Sequence, residues 1–205
     1  MPAGAGAESG VELSSVDHPH AFVIAAPSGT GKTTVIRHLL QQRDDLEFSV
    51  SCTTRARRSN EQEARNYYYI SDREFDTHLE KGDFLEWEPV HDNRYGTLRS
   101  EVDRILAAGH FPIFDLDVKG ALTLKRELEL PHLFFIQVSD REVYRQRLLS
   151  RNSETTGQIE LRLSRMESEL MLAPQFDFRV DNDGPIATTV DRISKLIDEI
   201  ISEND

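Results

Sequence analysis

The stretch "FVIAAPSGTGKTTVIRHLL" (Phe22–Leu40) passes from apolar residues through a glycine-rich turn into a helical pattern. "AFVIAA", from Ala21, is a continuous apolar run of the kind found in strands buried on both faces. Beyond the turn, Val35, Ile36, Leu39 and Leu40 recur at helical spacing. Between the two, "APSGTGKT" (Ala26–Thr33) fits G-x-x-x-x-G-K-S/T everywhere except at its first position, where Ala26 replaces glycine. Gly29 and Gly31 let the backbone curl so that successive N–H groups face one anion, and the helix that follows adds its positive end. Lys32 is placed to reach β- and γ-phosphates, and Thr33 offers a hydroxyl to Mg²⁺. Strand, turn and helix together predict that Ala26, Pro27, Ser28, Gly29, Thr30, Gly31, Lys32 and Thr33 hold a nucleoside triphosphate.

The rest of the chain continues this alternation. "LEFSVSCTTR" (Leu46–Arg55) is a strand candidate, "SEVDRILAAG" a helix, "FPIFDLD" a strand, "GALTLKRELE" a helix and "HLFFIQV" a strand. "REVYRQRLLSR" is helical and leads into the polar "NSETTG". Ile159, Leu163, Met166 and Leu170 stripe another helix, "FDFRVDND" is a last short strand, and Val190, Ile193, Ile197 and Ile201 stripe the closing helix. Such a pattern predicts an α/β fold, a P-loop core with a mainly parallel sheet and helices on both faces. Between Arg55 and Thr97 the character changes to charged turns, the aromatic "NYYYI", a short amphipathic helix "DREFDTHLEKG" and "DFLEWEPV", which reads as an inserted subdomain of short strands.

The whole sequence bounds the partners. Its 205 residues suit one domain with small insertions. A net charge of -12 argues against a nucleic-acid polymer or an anionic membrane, while leaving room for a small anionic ligand in a local basic cluster. Cys52 stands alone, so no intrachain disulfide or cysteine-built metal site is expected, and a reducing, cytoplasmic setting is the natural reading. No apolar run approaches the ~20 residues that span a bilayer. The Gly-, Ala- and Ser-rich residues 1–20 read as a flexible tail without secretory features. His18, His20, His38, His78, His91, His110 and His132 lack zinc spacing.

A loop of this kind serves switch GTPases, motor-type ATPases and small-molecule kinases. "DVKG" and "DNDG" match the loose D-x-x-G of a GTPase, but no N-K dipeptide exists to read guanine in that manner. "SVSCTTRARR" (Ser49–Arg58) instead groups Arg55, Arg57 and Arg58 past a strand end, with tyrosines in "NYYY" and "NRYGT". Arginine forks and phenols suit the oxyanion of a phosphate monoester, although an arginine cluster alone is often a solvated face. Asp115 and Asp117 follow "FPIF" at a strand's C-terminal end, where open α/β sheets bind ligands, and being two apart they are expected to point the same way.

From Phe22 to about Ile201 the sequence resembles the guanylate kinases. The matches run in order: "APSGTGK", "SVSCTTR", Tyr67, "DFLEW", "YGT", "DLDVKG", "RLLSRN", then Asn182 and Asp183. The resemblance implies ATP-dependent phosphorylation of GMP with Mg²⁺. It also implies a core (21–50, 102–139 and 158–205), a GMP-binding subdomain (51–101) and a mobile lid (140–157) within a domain covering 21–205. It assigns the GMP phosphate to Arg55, Arg58, Tyr67 and Tyr95, and guanine to Glu86, Ser51, Thr97 and Asp117. Asn182 joins the ATP site, Asp115 with Thr33 organises Mg²⁺, and Arg147, Arg151 and Arg162 close over the phosphoryl group beside Lys32. Arg141, Arg145 and Arg165 read as solvated helix-face charges.

An ionised Glu86 would accept from guanine N1–H and the 2-amino group, whereas adenine presents an acceptor at N1. A lone strand glutamate between Leu85 and Trp87 is equally compatible with a surface position. Two rivals remain: a catalytically inactive guanylate-kinase-like protein-binding module, and a related P-loop kinase with another phosphorylated acceptor. Many family members read T-T-R-x-P-R-x-G-E-x-x-G before the tyrosine; here Arg57, Asn60 and Ala64 replace Pro, Gly and Gly. Asn60 is expected to keep its turn in a left-handed conformation and Ala64 to change the loop path. Arg94, where tyrosine is frequent, suggests a rebuilt loop on the GMP side.

Overall fold

The computed structural model describes residues 20–90, 92–127, 131–149 and 156–203. The expected tail (apart from His20), Arg151 and most of "NSETTG" lie outside the described residues, as does the side chain of Ile159. In chain order the elements begin with β1 (Ala21–Ala25), α1 (Lys32–Gln42), β2 (Leu46–Phe48), β3 (Cys52–Thr53) and β4 (Tyr68–Tyr69). There follow α2 (Asp72–Lys81), β5 (Phe84–Val90), β6 (Asn93–Leu98), α3 (Arg99–Ala107), β7 (Phe111–Leu116) and α4 (Val118–Glu127). The chain closes with β8 (Pro131–Gln137), α5 (Arg141–Leu149), α6 (Thr156–Leu170), β9 (Phe178–Asp181) and α7 (Ile186–Ser202).

Five strands form a wholly parallel sheet in the order β2-β7-β1-β8-β9. β1 is flanked by strands on both sides, which is why its run is apolar without alternation. Phe22 and Ile24 face one side, packing with Val35 and Leu39 of α1 and with Val190, Ile193 and Ile197 of α7. Val23 and Ala25 face the other, with Val102 of α3 and Ala121 and Leu124 of α4. Successive side chains of a strand point to opposite faces, so one short run seeds two cores.

The inserted segment has its own four-stranded sheet, ordered β4-β3-β6-β5. Ser71 and Glu74 form a capping box at the start of α2, and Gly82 ends it at φ 69°. Phe75 of α2 stacks on Phe84 with ring centroids 4.4 Å apart. Gly96 makes this packing possible: a Cβ there would stand 2.8 Å from Phe84 Cδ1 and 2.9 Å from the Glu86 carbonyl oxygen.

Two expectations need correction. "LEFSVSCTTR" is not one strand: β2 belongs to the parallel sheet and β3 to the inserted sheet. Ser49 N–H still bonds the Ile113 carbonyl at 3.0 Å, and by Cys52 the chain pairs with Tyr68 and Gly96 instead. Alternation alone carries no mark of a change of partner. Asn60 does not take the left-handed conformation; among the described residues Ala64, at φ 57°, is the one non-glycine that does. The alanine therefore retains a conformation in which glycine is unstrained, rather than abandoning it. Its Cβ costs about 1–2 kcal/mol there, while glycine would lose more backbone entropy on folding. Ala64→Gly is accordingly expected to stabilise the protein by about 0.5 kcal/mol in urea unfolding. A lower unfolding midpoint would show that the loop has relaxed around the alanine. Arg94 itself is engaged within the inserted segment. Its guanidinium meets Asp72 and Asp76 and lies 4.5 Å from the Phe75 ring centre, stitching α2 to β6.

Candidate active site

The glycine-rich turn follows β1 and caps α1 with Gly31 at φ 98°, and Gly29 has the same φ. A Cβ on Gly31 would approach Asn182 Nδ2 to 2.8 Å, so that position also needs the space. Thr30 is buried and points inward, its hydroxyl donating to the Pro27 carbonyl at 2.9 Å. The remaining turn residues, Ala26, Pro27, Ser28, Gly29, Gly31, Lys32 and Thr33, line a cleft of about 660 Å³.

Lys32 Nζ pairs with Asp115 Oδ1 at 2.7 Å and also donates to the Leu116 carbonyl. Thr33 Oγ1 donates to Asp115 Oδ2 at 3.4 Å. A hydroxyl and a carboxylate therefore converge beside the turn, a hard-oxygen set that suits Mg²⁺. Asp115 and Asp117 both line the cleft, but for different reasons. β7 ends at Leu116, and Asp117 turns to accept the Gly120 N–H at 2.7 Å, capping α4. Strand alternation therefore does not account for its direction.

Ser51, Tyr67, Glu86 and Tyr95 line the same cleft. Glu86, on β5, is 6% exposed and thus no surface residue. Its Oε1 accepts from the buried Thr97 hydroxyl at 2.7 Å, across the β5/β6 register that pairs the two residues. Its Oε2 and Asp117 Oδ1 converge on Gly120, lying 3.4 and 3.2 Å from where a Cβ would stand. Burial pushes the Glu86 carboxyl up to about 7; the Thr97 hydroxyl opposes this, and the Asp117 and Glu88 charges add to it.

That shift predicts a pH dependence. A base offering two donors needs the ionised form, so its binding should expel a proton below pH 7. KM for such an acceptor should rise by up to about tenfold per unit as pH falls below ~6, with KM for the triphosphate nearly flat. Steady-state kinetics across pH 5.5–8.5 (about) would check this. An acceptor KM independent of pH would mean that Glu86 is ionised throughout.

Arg55, Arg58, Asn182, Arg147 and Arg162 are not among the residues that line this cleft. Arg55 is held by Glu61 through two bonds, Nη1 to Oε2 at 3.0 Å and Nη2 to Oε1 at 2.7 Å. Its Nε donates to the Tyr95 hydroxyl at 3.2 Å, and the rings of Tyr67 and Tyr69 flank it at 5.6 and 5.8 Å. Arg58 is exposed, and its backbone N–H, not its guanidinium, meets Glu61 at 2.8 Å. Asn182 is 2% exposed and committed to the protein: Nδ2 donates to the Thr30 carbonyl at 2.7 Å, and Oδ1 accepts from the Thr189 hydroxyl at 2.9 Å. With Arg147 it lines a second cleft of about 340 Å³ beside Gly29 and Gly31. Arg147 donates to the Asn182 carbonyl at 2.6 Å, and Arg162 reaches Ser28 Oγ at 3.3 Å.

The model of the guanylate kinase family matches residues 18–203. The chain belongs to the guanylate kinase family. It is 39% identical over 162 residues to the guanylate kinase of Thermotoga maritima, covering 79% of this chain and 78% of that one. It is 40% identical over 189 residues to the guanylate kinase of Chlorobaculum tepidum, covering 92% and 96%. Its structure resembles the crystal structure of guanylate kinase from Anaplasma phagocytophilum, with a TM-score of 0.69, 28% identity and coverage of 87% and 84%.

Against the family pattern, sequence reasoning overlooked Glu61, the glutamate of T-T-R-x-P-R-x-G-E. Hydrogen bonds from Arg55, then the Arg58 N–H, hold its carboxyl down to about 2. It also overlooked Tyr144, whose hydroxyl donates to the Ser28 carbonyl and ties α5 to the turn. Glu61 was in view as the motif's glutamate but with no role assigned, whereas Tyr144 has no signal in spacing because it acts across 116 residues. Arg141 behaves as expected, pairing with Glu167 in an exposed bridge at 2.9 Å. Among the described residues no group of three or more His, Cys, Asp or Glu side chains could hold a metal, and no helix is long and apolar enough to cross a membrane. Burial pushes the Cys52 thiol up to about 12, which leaves it unreactive.

Proposed function

We infer that this member of the guanylate kinase family transfers the γ-phosphoryl group of ATP to GMP, giving ADP and GDP. The observation that carries the reading is a buried carboxylate, Glu86, in the same cleft as an intact phosphate-binding turn. A buried acceptor pair selects a base with adjacent donors, as guanine N1–H and its 2-amino group are. Intact Lys32 and Thr33 weigh against the inactive binding module, and Glu86 with Thr97 against another acceptor.

The GMP-binding subdomain is assigned to 51–101 and the lid to 140–157. Ser51, Thr97 and Asp117 would frame guanine beside Glu86, and Tyr67, Tyr95, Arg55 and Arg58 would hold the GMP phosphate. That phosphate would compete with Glu61 for the Arg55 fork, and Arg58 would swing in from the surface. Ala26 to Thr33 would hold the ATP phosphates, with Asn182 supporting the turn from behind. Lys32 would exchange Asp115 for the β- and γ-phosphates. Thr33 and Asp115 would hold Mg²⁺, which supplies charge neutralisation between the phosphates. Arg147 and Arg162, with Arg151, would stabilise charge on the transferring group, and closure would keep water from accepting it. The acidic chain with its lone cysteine supports a cytoplasmic location.

A coupled ADP-release assay with ATP and each of GMP, AMP, CMP and UMP tests the assignment. GMP should exceed each of the others by at least about a hundredfold in kcat/KM, because a polar site rejects a base that leaves its groups unpaired. A better turnover of AMP or of a pyrimidine nucleotide would refute it.

A further inference from the structure

The chain passes between the two sheets twice, outward through Ser49–Ser51 and back at Leu98–Arg99. Between these crossings lies Glu101, in the first turn of α3 and only 4% exposed. Each of its oxygens takes two donors. Oε1 accepts from the Val50 N–H at 3.1 Å and Arg104 Nη2 at 3.0 Å; Oε2 accepts from the Tyr68 hydroxyl at 3.1 Å and Arg104 Nε at 3.1 Å. Arg104 reaches on to Glu47 of β2 at 2.7 Å, and Glu47 meets His110 at 2.9 Å.

A carboxylate persists out of water only when paired and fully hydrogen-bonded, and an apolar side chain would fill the space at no such cost. Most of this network belongs to the parallel sheet and its helix: Val50 precedes the inserted sheet, and Arg104, Glu47 and His110 lie on α3, β2 and the turn before β7. Tyr68 alone belongs to the inserted sheet. It stands beside Cys52 of β3, which pairs across with Gly96 of β6, while Thr53 pairs with Tyr95. Tyr68 is thereby linked to Tyr95 in the wall of the cleft through the pairings of β3.

We propose that Glu101 is a positioning residue that pins the pivot of the inserted sheet, its bond to the Tyr68 hydroxyl setting how β5 and β6 face the phosphate-binding turn. The inference rests on the reading that the inserted sheet carries GMP. It assigns no chemistry to Glu101, which stands apart from the cleft. Loosening the pin leaves each substrate's contacts intact but makes acceptor binding order the sheet as well, so the effect falls on one substrate.

The test uses the full chain as Y68F, E101Q and the double variant, with KM for GMP, KM for ATP and kcat measured for each. Y68F removes only the hydroxyl that crosses the pivot. It should raise KM for GMP by at least about tenfold, as expected for one bond to a charged group, with KM for ATP and kcat within about twofold of wild type. E101Q should raise KM for GMP at least as much, and the double variant should be no worse than E101Q, because both remove one connection. A merely structural role would lower kcat through loss of active protein, leave both KM values in place and let the two substitutions add; that result overturns the proposal. If E101Q does not fold, Y68F decides alone, and an unmoved KM for GMP refutes the pin. A wild type that turns over no GMP removes the underlying reading, whereas normal wild-type turnover with an unaltered Y68F removes the pin only.

Discussion

Lys32→Ala should lower kcat by at least about a hundredfold while the protein stays folded and its KM for GMP changes little. The lysine opens α1 and meets Asp115 at 2.7 Å together with the Leu116 carbonyl. In the proposed reaction it leaves these partners for the phosphates, where it counters charge that grows during transfer. An electrostatic contact of this kind contributes ~3 kcal/mol or more, and because it is strongest in the transition state its loss appears in kcat. Alanine is a good helix former, so α1 itself should survive. The substitution also leaves Asp115 without its cation, adding repulsion toward a triphosphate and raising KM for ATP. Steady-state kinetics beside a thermal unfolding curve would separate catalysis from folding. A folded variant keeping more than about a tenth of wild-type kcat would remove Lys32 from the catalytic role.

Glu86→Ala should lower kcat/KM for GMP by more than about tenfold, each hydrogen bond to a charged group being worth roughly 1.5–3 kcal/mol. Two causes combine. Guanine's donors lose their acceptors, and the buried Thr97 hydroxyl loses the oxygen it meets at 2.7 Å. IMP keeps N1–H but lacks the 2-amino group, so wild type should prefer GMP and the variant should lose most of that preference. Glu86→Gln is the sharper change: it keeps the volume and the Thr97 bond but converts an acceptor pair into one acceptor and one donor. It should also weaken the pH dependence of the acceptor KM, because an amide does not titrate in this range and only the acceptor's own phosphate, with a second pKa of about 6, still does. An unchanged GMP-to-IMP ratio in Glu86→Ala would move base recognition to Asp117 and Thr97.

How much of this was legible in the sequence depends on the range over which each feature is specified. The phosphate-binding turn is local: glycines that must reach positive φ, a strand before and a helix after lie within a few residues of each other. The parallel sheet followed from alternating apolar runs, and on α7 the buried face adds Thr189, Leu196 and Ile200 to the expected stripe while Ile201 is only half-buried. The break between β2 and β3 was hidden, because a strand's alternation is the same whichever sheet it joins. The replacement of glycine by Ala64 could be read, but not that its backbone would stay left-handed.

The cleft divides along the same line. The sequence by itself determined which side chains could meet phosphate, metal and base: Lys32, Thr33, Asp115, the arginines and Glu86. Only the tertiary structure decided which of them face one cavity. Burial of Glu86 needs β6 beside it, the cap by Asp117 needs the turn into α4, and the Arg55–Glu61 fork needs a loop closed on itself. Glu101 is the extreme case. In sequence it is one glutamate on an amphipathic helix, and its four hydrogen-bond donors come from residues 50, 68 and 104. Chemical capacity is a property of the residue, whereas desolvation and pairing are properties of its neighbours, and those are brought together only by the fold.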